Sequence, residues 1–192
     1  VFAALGPLTG RTRAEGPSWV VLAHDELARW TGDRGVLEAR WPLLLRAAQQ
    51  QEIDADGRVP FSGDETYRTA MAIALGHAIT ESFETGFRSL EAGALLVVAC
   101  ERLAGHAEAL GRRAEADALR ALAVRVRTAT DATYERASDG VFLPYVGPTG
   151  ALAAGPFEDA SLAPPWLGYL DGAPARLRRA TLHAPMPDDP PR

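Results

Sequence analysis

The chain has little cysteine and no long apolar run, and each shortage excludes a class of protein. With one cysteine in 192 residues, it can form neither an internal disulfide framework nor a cysteine-based zinc site. Because Cys100 lies in the apolar run 92–100, we predict a buried thiol that packs as a small hydrophobic side chain. Glu, Arg or His interrupts the longest apolar stretches before the ~18 residues that a membrane span requires, so we expect no membrane partner.

The chain also has no excess of basic charge. It carries 20 Lys and Arg against 25 Asp and Glu, a formal net charge of -5, with the two signs interspersed. Since a nucleic-acid-binding surface needs a basic patch or stripe, we predict no nucleic-acid partner. The scattered residues His24, His77, His106 and His183 lack metal-ligand spacing, and no glycine-rich nucleotide motif is present. We therefore predict no cofactor and no metal.

The remaining composition, 47% hydrophobic and 23% charged residues, is typical of one soluble domain. We expect an irregular first segment over 1–16, the domain over 17–170 and a proline-rich tail over 171–192. The chain starts at Val1 without a basic-then-apolar signal segment and ends in HAPMPDDPPR. The expectation is a cytoplasmic piece of a longer protein.

The first half predicts a pair of helices. Residues 18–30 follow a Gly-Pro pair, with Ser18 as N-cap and a stop at Gly32. Asp33 is placed to cap a second helix, in which apolar residues recur at three- and four-residue spacing. Pro42 within it predicts a kink or a restart. We expect Trp19, Trp30 and Trp41 to pack in the core.

A second pair follows, in which residues 89–105 are almost wholly apolar and residues 113–136 carry one apolar stripe. The pairs are followed by Asp-Gly turns at 56–57 and 139–140. This repetition predicts an all-α fold of helical hairpins, with one helix of each in an inner layer and the other outside, as a toroid or an open solenoid. A third copy begins near 156, where a short helical run over 158–167 is broken by Pro164 and Pro165.

Several motifs together carry a resemblance. They are TGD at 31–33 followed by WP at 41–42, the Asp-Gly turn leading into FSGDETY at 61–67, SLEAGALL at 89–96, ASDGVF at 137–142 and APPWLGY at 163–169. Over residues 16–170 this series resembles the six-hairpin glycosidase superfamily, which includes glucoamylase-like, trehalase-like and glycogen-debranching-like enzymes. The resemblance implies an (α/α)6 barrel that cleaves glycosidic bonds, mostly with inversion. Only two to three hairpins fit in this chain, so we expect an incomplete barrel.

Glycoside hydrolysis requires one carboxylic acid to protonate the leaving oxygen and a second carboxylate to activate water or attack carbon. In the resembled enzymes the acid lies in an acidic, glycine-containing loop after an early Asp-Gly turn, where this chain has Asp64 and Glu65. The resemblance implies Glu65 as general acid, with Asp64 as the alternative acid or a sugar ligand. Nearby carboxylates and rings raise the pKa of such an acid. The same carboxylates also fit the first turn of a helix that starts near Thr66.

The other candidate substrate-binding residues are Phe61, Tyr67, Arg68, Glu91 and Trp166. Phe61 and Tyr67 are equally suited to packing on each other, and Arg68 to an ion pair with either acid. Trp166 offers a ring for sugar stacking or for the core. The resemblance implies that the catalytic base comes from beyond Arg192, with Glu91 the best placed second carboxylate within the chain. A non-catalytic helical-repeat scaffold or carbohydrate-binding protein is the alternative function.

Overall fold

The described helices begin and end close to their predicted bounds. The computed structural model describes residues 15–60, 88–135, 141–142, 145–146, 152–153 and 163–177, which are mostly helical. The helices are α1 Gly16–Thr31, α2 Gly35–Gln49, α3 Leu90–Ala109, α4 Arg113–Tyr134 and α5 Ala163–Trp166. The all-α class is confirmed. Helices α1 and α2 form one helical hairpin, and α3 and α4 form a second.

A small antiparallel sheet lies beside the helices. Its three two-residue strands are β1 Arg88–Ser89, β2 Tyr145–Val146 and β3 Leu152–Ala153, in the order β1-β2-β3. Arg88 pairs with Val146 on one side and forms an isolated antiparallel bridge with Pro60. The sheet therefore fixes the chain at the point where α3 begins.

Helix α1 begins earlier than the sequence predicts. Proline is favoured in the first turn because its fixed φ is already helical, and Pro17 occupies that position. Ser18 therefore lies inside the helix, and its buried hydroxyl donates to Gln51 Oε1 at 2.7 Å instead of capping. The predicted stop is confirmed, since Gly32 adopts φ 70 and its N–H bonds to Ala28 O.

Helix α2 has Arg34 and not the predicted Asp33 at its N-cap position, and the helix does not restart. Asp33 Oδ1 accepts from the Gly35 N–H at 2.7 Å, which satisfies one of the unpaired donors at the helix start. The helix then continues from Gly35 to Gln49 with Pro42 inside it, on the exposed side. The buried Trp41 donates from Nε1 to Glu115 Oε2 at 2.6 Å and so joins α2 to α4.

Helix α3 is the centre of the fold. Residues 92–100 are buried, and α1, α2, α4 and α5 all contact the helix. A Cβ on Gly93 would lie 2.8 Å from Thr130 Oγ1, so glycine at this position lets α4 approach closely. Burial and the neighbouring Glu101 carboxylate raise the pKa of Cys100 to about 12. The thiol stays protonated, as expected of a buried hydrophobic cysteine.

The tryptophans depart from the prediction. Trp41 is in the core, but Trp30 is 86% exposed and Trp19 is 40% exposed. The buried side of α1 carries Val21, Leu22, His24, Asp25 and Ala28, and at 100° per residue this places Trp19 and Trp30 on the opposite side. The expectation of core packing is therefore wrong for Trp30 and, to a smaller extent, for Trp19. Helix α1 is consequently less enclosed than an inner helix.

The prolines near the chain's third predicted copy also behave differently from the expectation. Pro164 and Pro165 belong to the single turn of α5 instead of breaking it. A proline near the first position of a helix costs little, since its missing N–H would have no intrahelical partner there. The described part of this region supplies a short helix only, and the rest of the predicted run, 158–162, lies outside the described residues.

Candidate functional site at the start of helix α3

Five predicted site residues lie outside the described residues: Phe61, Asp64, Glu65, Tyr67 and Arg68. Glu91 and Trp166 are described. The five residues belong to the segment 61–87. Pro60 and Arg88, the described residues on either side of this segment, pair with each other. The two residues that flank the segment are therefore held together near the start of α3.

The Asp-Gly turn before the segment is built around one carboxylate. Asp54 Oδ1 accepts from the backbone N–H groups of Asp56 at 3.0 Å and Arg58 at 2.9 Å. Its Oδ2 accepts from Nε of Arg58 at 3.2 Å and from Nε of Arg88 at 2.9 Å. The turn and β1 are thus joined through a single side chain.

The electrostatics of Asp54 follow from these bonds. Burial acts to raise its pKa, but the backbone N–H of Arg58 and the side chain of Arg88 outweigh burial and lower it. The carboxylate is ionised at neutral pH, and four donors occupy its oxygens. Asp54 therefore organises the turn and is poorly suited to act as an acid.

Gly57 completes the turn and seats it on α4. Its φ is +91, and a Cβ there would lie 3.1 Å from Ala129 Cβ and 3.3 Å from Arg125 O. Both the left-handed backbone and the close contact favour glycine. Arg125 also donates to Asp54 O at 3.3 Å. The sequence signal for this arrangement is the Asp-Gly pair itself.

Helix α3 starts beside the turn, and its first residues present polar groups there. Ser89 caps the helix by accepting from the Ala92 N–H at 3.3 Å. Glu91 lies in the first turn and is partly exposed. A carboxylate at this position is stabilised by the positive end of the helix dipole.

Tyr134, the last residue of α4, adds a group that the sequence does not single out. The side chain is buried, and its hydroxyl has no hydrogen-bond partner among the described residues. Burial raises the pKa of the phenol, and the charges of Arg58 and Arg88 oppose that rise. The neutral hydroxyl lies near the Asp54 turn as a buried polar group.

Trp166 lies in a segment that is firmly attached to α4. Tyr169, three residues further along, donates its hydroxyl to Asp131 Oδ1 at 2.7 Å, and its ring lies under the Arg127 guanidinium at 4.2 Å. Arg176 binds both Asp131 and Glu135. The ring of Trp166 itself is 76% exposed, which excludes the core-packing alternative.

A second polar cluster, which the sequence did not predict, joins α1 to α3. The buried Asp25 lies 2.7 Å from Arg102 NH1 through Oδ2 and 2.7 Å from His106 Nε2 through Oδ1. Arg102 also donates to Glu26 at 2.8 Å. Arg102 and His106 are four residues apart and so share one helix side, which is the only local signal that the sequence carries for this cluster.

Neither metal binding nor membrane insertion finds support in the described parts of the chain. No group of three or more His, Cys, Asp or Glu side chains is arranged to hold a metal ion in these ranges. None of the described helices combines the length and apolar character needed to cross a bilayer. Comparison with protein-family models, with curated proteins and with solved structures finds no match to the chain.

Proposed function

We propose that the chain is part of a glycoside hydrolase built from helical hairpins, with Glu65 as its general acid. The pairing of Pro60 with Arg88 supports the proposal, because these two residues flank the segment that contains Glu65 and Arg88 lies directly before α3. Glu65 follows Pro60 by five positions, so the covalent chain keeps the two Cα atoms within ~18 Å of each other. The proposal assigns Asp64 and Glu65 to the end of the helix bundle where Glu91 lies.

The chemistry requires two carboxylates in different states, one protonated and one ionised. Hydrogen-bond donors keep the Asp54 carboxylate ionised and occupy both of its oxygens. We therefore assign Asp54 a structural role in the turn and no role in the reaction. Glu65 is assigned the protonated role, and Asp64 binds sugar hydroxyls or replaces it as acid. Glu91, at the start of a buried helix, is assigned to substrate hydroxyls, and the base is assigned to a separate part of the complete protein.

Substrate contacts in this proposal come from rings and cations around the same end. Trp166 offers an exposed indole on an anchored segment, a suitable surface for stacking against a sugar ring. Phe61, Tyr67 and Arg68 lie within eight positions of Pro60 in the sequence, and the proposal assigns them to the same surface. The substrate class is an α-glucoside or a related oligosaccharide.

The test uses the full-length protein and a panel of α-glucosides. We expect Glu65→Gln to lower kcat by ~10²–10⁴-fold, the usual contribution of a general acid, with an unchanged circular dichroism spectrum. Glu52→Gln is the matched control, since Glu52 is an exposed acid in the loop before the Asp54 turn. Normal turnover in Glu65→Gln would reject the assignment, and a loss confined to Asp64→Asn would move the acid to residue 64.

A carbohydrate-binding protein without hydrolytic activity is the second candidate, and the exposed ring of Trp166 favours it. The two functions differ in what Trp166→Ala and Glu65→Gln change. Binding alone predicts weaker retention on an immobilised α-glucan for Trp166→Ala, no effect of Glu65→Gln, and no turnover in the unmodified protein. Hydrolysis predicts a turnover that Glu65→Gln removes.

A further inference from the structure

The outward side of α1 carries apolar side chains that nothing covers in the described part of the chain. Trp19, Ala23, Leu27 and Trp30 recur at four-, four- and three-residue spacing, and all four are exposed. We call these four residues the α1 outer face. At 1.5 Å per residue the face extends over ~16 Å of helix. We propose that this face is the interface of a symmetric dimer, in which α1 of one copy packs antiparallel on α1 of a second copy.

The size of the face fits this occupant. A tryptophan offers up to ~250 Å², so 86% exposure of Trp30 and 40% exposure of Trp19 leave ~300 Å² of mostly apolar surface on these two residues. A standard interface buries ~800 Å² on each partner, of which ~57% is apolar. Leu27 and Ala23 add further apolar area to that of the two tryptophans and bring the face closer to this apolar share. A patch of this size is comparable to the largest apolar patch on a typical soluble monomer, and such patches are often functional.

The order of side chains along the face fits a two-fold axis. In an antiparallel pair, residue i of one copy faces the residue of the other copy for which the two numbers add to a constant. The residue numbers of Trp19 and Trp30 add to 49, and those of Ala23 and Leu27 add to 50. Both pairs are therefore compatible with nearly the same two-fold axis. Each end then stacks two indoles, and each small Ala23 receives a Leu27.

The charges beside the face do not oppose the pairing. Glu26 borders it, and its carboxylate already accepts from Arg29 at 2.7 Å and from Arg102 at 2.8 Å. The carboxylate therefore enters the edge of the interface with its charge compensated within its own copy. Antiparallel helices also oppose their dipoles favourably.

Sedimentation velocity of the full-length protein tests the proposal. We expect a weak, reversible dimer with a Kd between ~1 and ~100 µM, because the face is smaller than a standard interface. Trp30→Ser is expected to weaken the dimer at least ~10-fold, because buried tryptophans carry a large share of interface energy. The control is Val124→Ser, which removes a 63% exposed apolar side chain from α4 and leaves the dimer unchanged. Circular dichroism verifies that each variant is folded.

A mixing experiment tests the antiparallel register. Trp19→Glu and Trp30→Lys each weaken the dimer alone, but an equimolar mixture gains a heterodimer with one Glu-Lys pair and one intact Trp-Trp pair. The mixture is therefore expected to dimerise more strongly than either variant. A chain that stays monomeric up to ~100 µM, or a dimer that Trp30→Ser leaves intact, overturns the proposal. A mixture no stronger than its components overturns the antiparallel pairing.

Discussion

The two helical hairpins differ in how completely they enclose their first helix. Helix α3 is buried on all sides over residues 92–100, whereas α1 is buried on one side and carries two exposed tryptophans on the other. Alanine, glycine and cysteine make up much of the α3 run, and their small side chains let neighbouring helices approach from every direction. Side-chain size, as well as apolar character, therefore decides which helix becomes central.

The hairpins also differ in what attaches them. The α3–α4 contact is close, with Gly93 against Thr130, and its ion pairs of Arg127 with Glu101 and Arg120 with Glu108 lie at partly exposed edges. The α1–α3 contact includes the ion pair of Asp25 with Arg102 and the bond from His106. A buried ion pair recovers only part of its desolvation cost, so it contributes less to stability than an apolar contact of the same size. The second hairpin should therefore supply most of the stability.

Matched leucine truncations test this difference most strongly. Leu95→Ala empties a fully buried position in α3, and we expect it to lower the free energy of unfolding by about 3–5 kcal/mol. Leu27→Ala removes the same atoms from an exposed position in α1 and should cost less than about 1 kcal/mol. Urea denaturation at a protein concentration that keeps the chain monomeric measures both. Equal losses would contradict the proposed division.

Two glycines of α3 give the second test. Gly93→Ala introduces a Cβ 2.8 Å from Thr130 Oγ1, and we expect a loss of about 1–3 kcal/mol from overpacking. Gly105→Ala is the control, because a Cβ at that position would have no atom within 4 Å. The helix should gain about 0.5–1 kcal/mol of propensity from this second substitution.

The double variant Gly93→Ala/Thr130→Ala isolates the contact. Removing Thr130 Oγ1 relieves the crowding, so the double variant should be more stable than the sum of the two single losses implies. Strict additivity would show that the close approach of α3 and α4 does not depend on Gly93. Thermal melts followed by circular dichroism give the three values.

Much of this fold follows from local sequence rules. Propensity and capping within one or two turns determine several of its features. These are the stop at Gly32, the Asp33 bond to the first turn of α2, the buried run after Ser89 and the first-turn position of Glu91. The exposure of Trp30 was not predictable in the same way. Its position depends on which side of α1 meets α3, and that choice is made by contacts distant in sequence.

In the candidate site, too, local features are predictable from the sequence and long-range contacts are not. The Asp-Gly signal predicts the turn at Asp54, but the ion pair of Asp54 with Arg88 spans 34 residues. Pro60, which forms a β-bridge with Arg88, carries no sequence pattern that predicts this bridge. The Asp25–Arg102 bond spans 77 residues. Polar pairs of this kind depend on how the helices pack, so the local sequence does not predict them. The roles of Asp64 and Glu65 stay predictions because those residues lie outside the described part of the chain.

The smallest expected effect concerns the link between the hairpins, where Asp54 joins the turn after α2 to β1. Its folded pKa is lowered, so its ionised form stabilises the fold at pH values above the unfolded pKa of ~3.9, and this contribution disappears as pH falls through the lower folded value. Asp54→Asn should therefore cost about 1 kcal/mol at pH 7. The difference from the unmodified protein should shrink at about pH 3.

Urea denaturation at the two pH values measures this effect, with Asp56→Asn as the control. Asp56 has a largely exposed side chain and pairs with Arg58 at the surface, so its substitution should change stability little at either pH. An Asp54→Asn penalty that is independent of pH would mean that the shape of the turn, and not the charge between Arg58 and Arg88, holds the first hairpin to the strand that precedes the second.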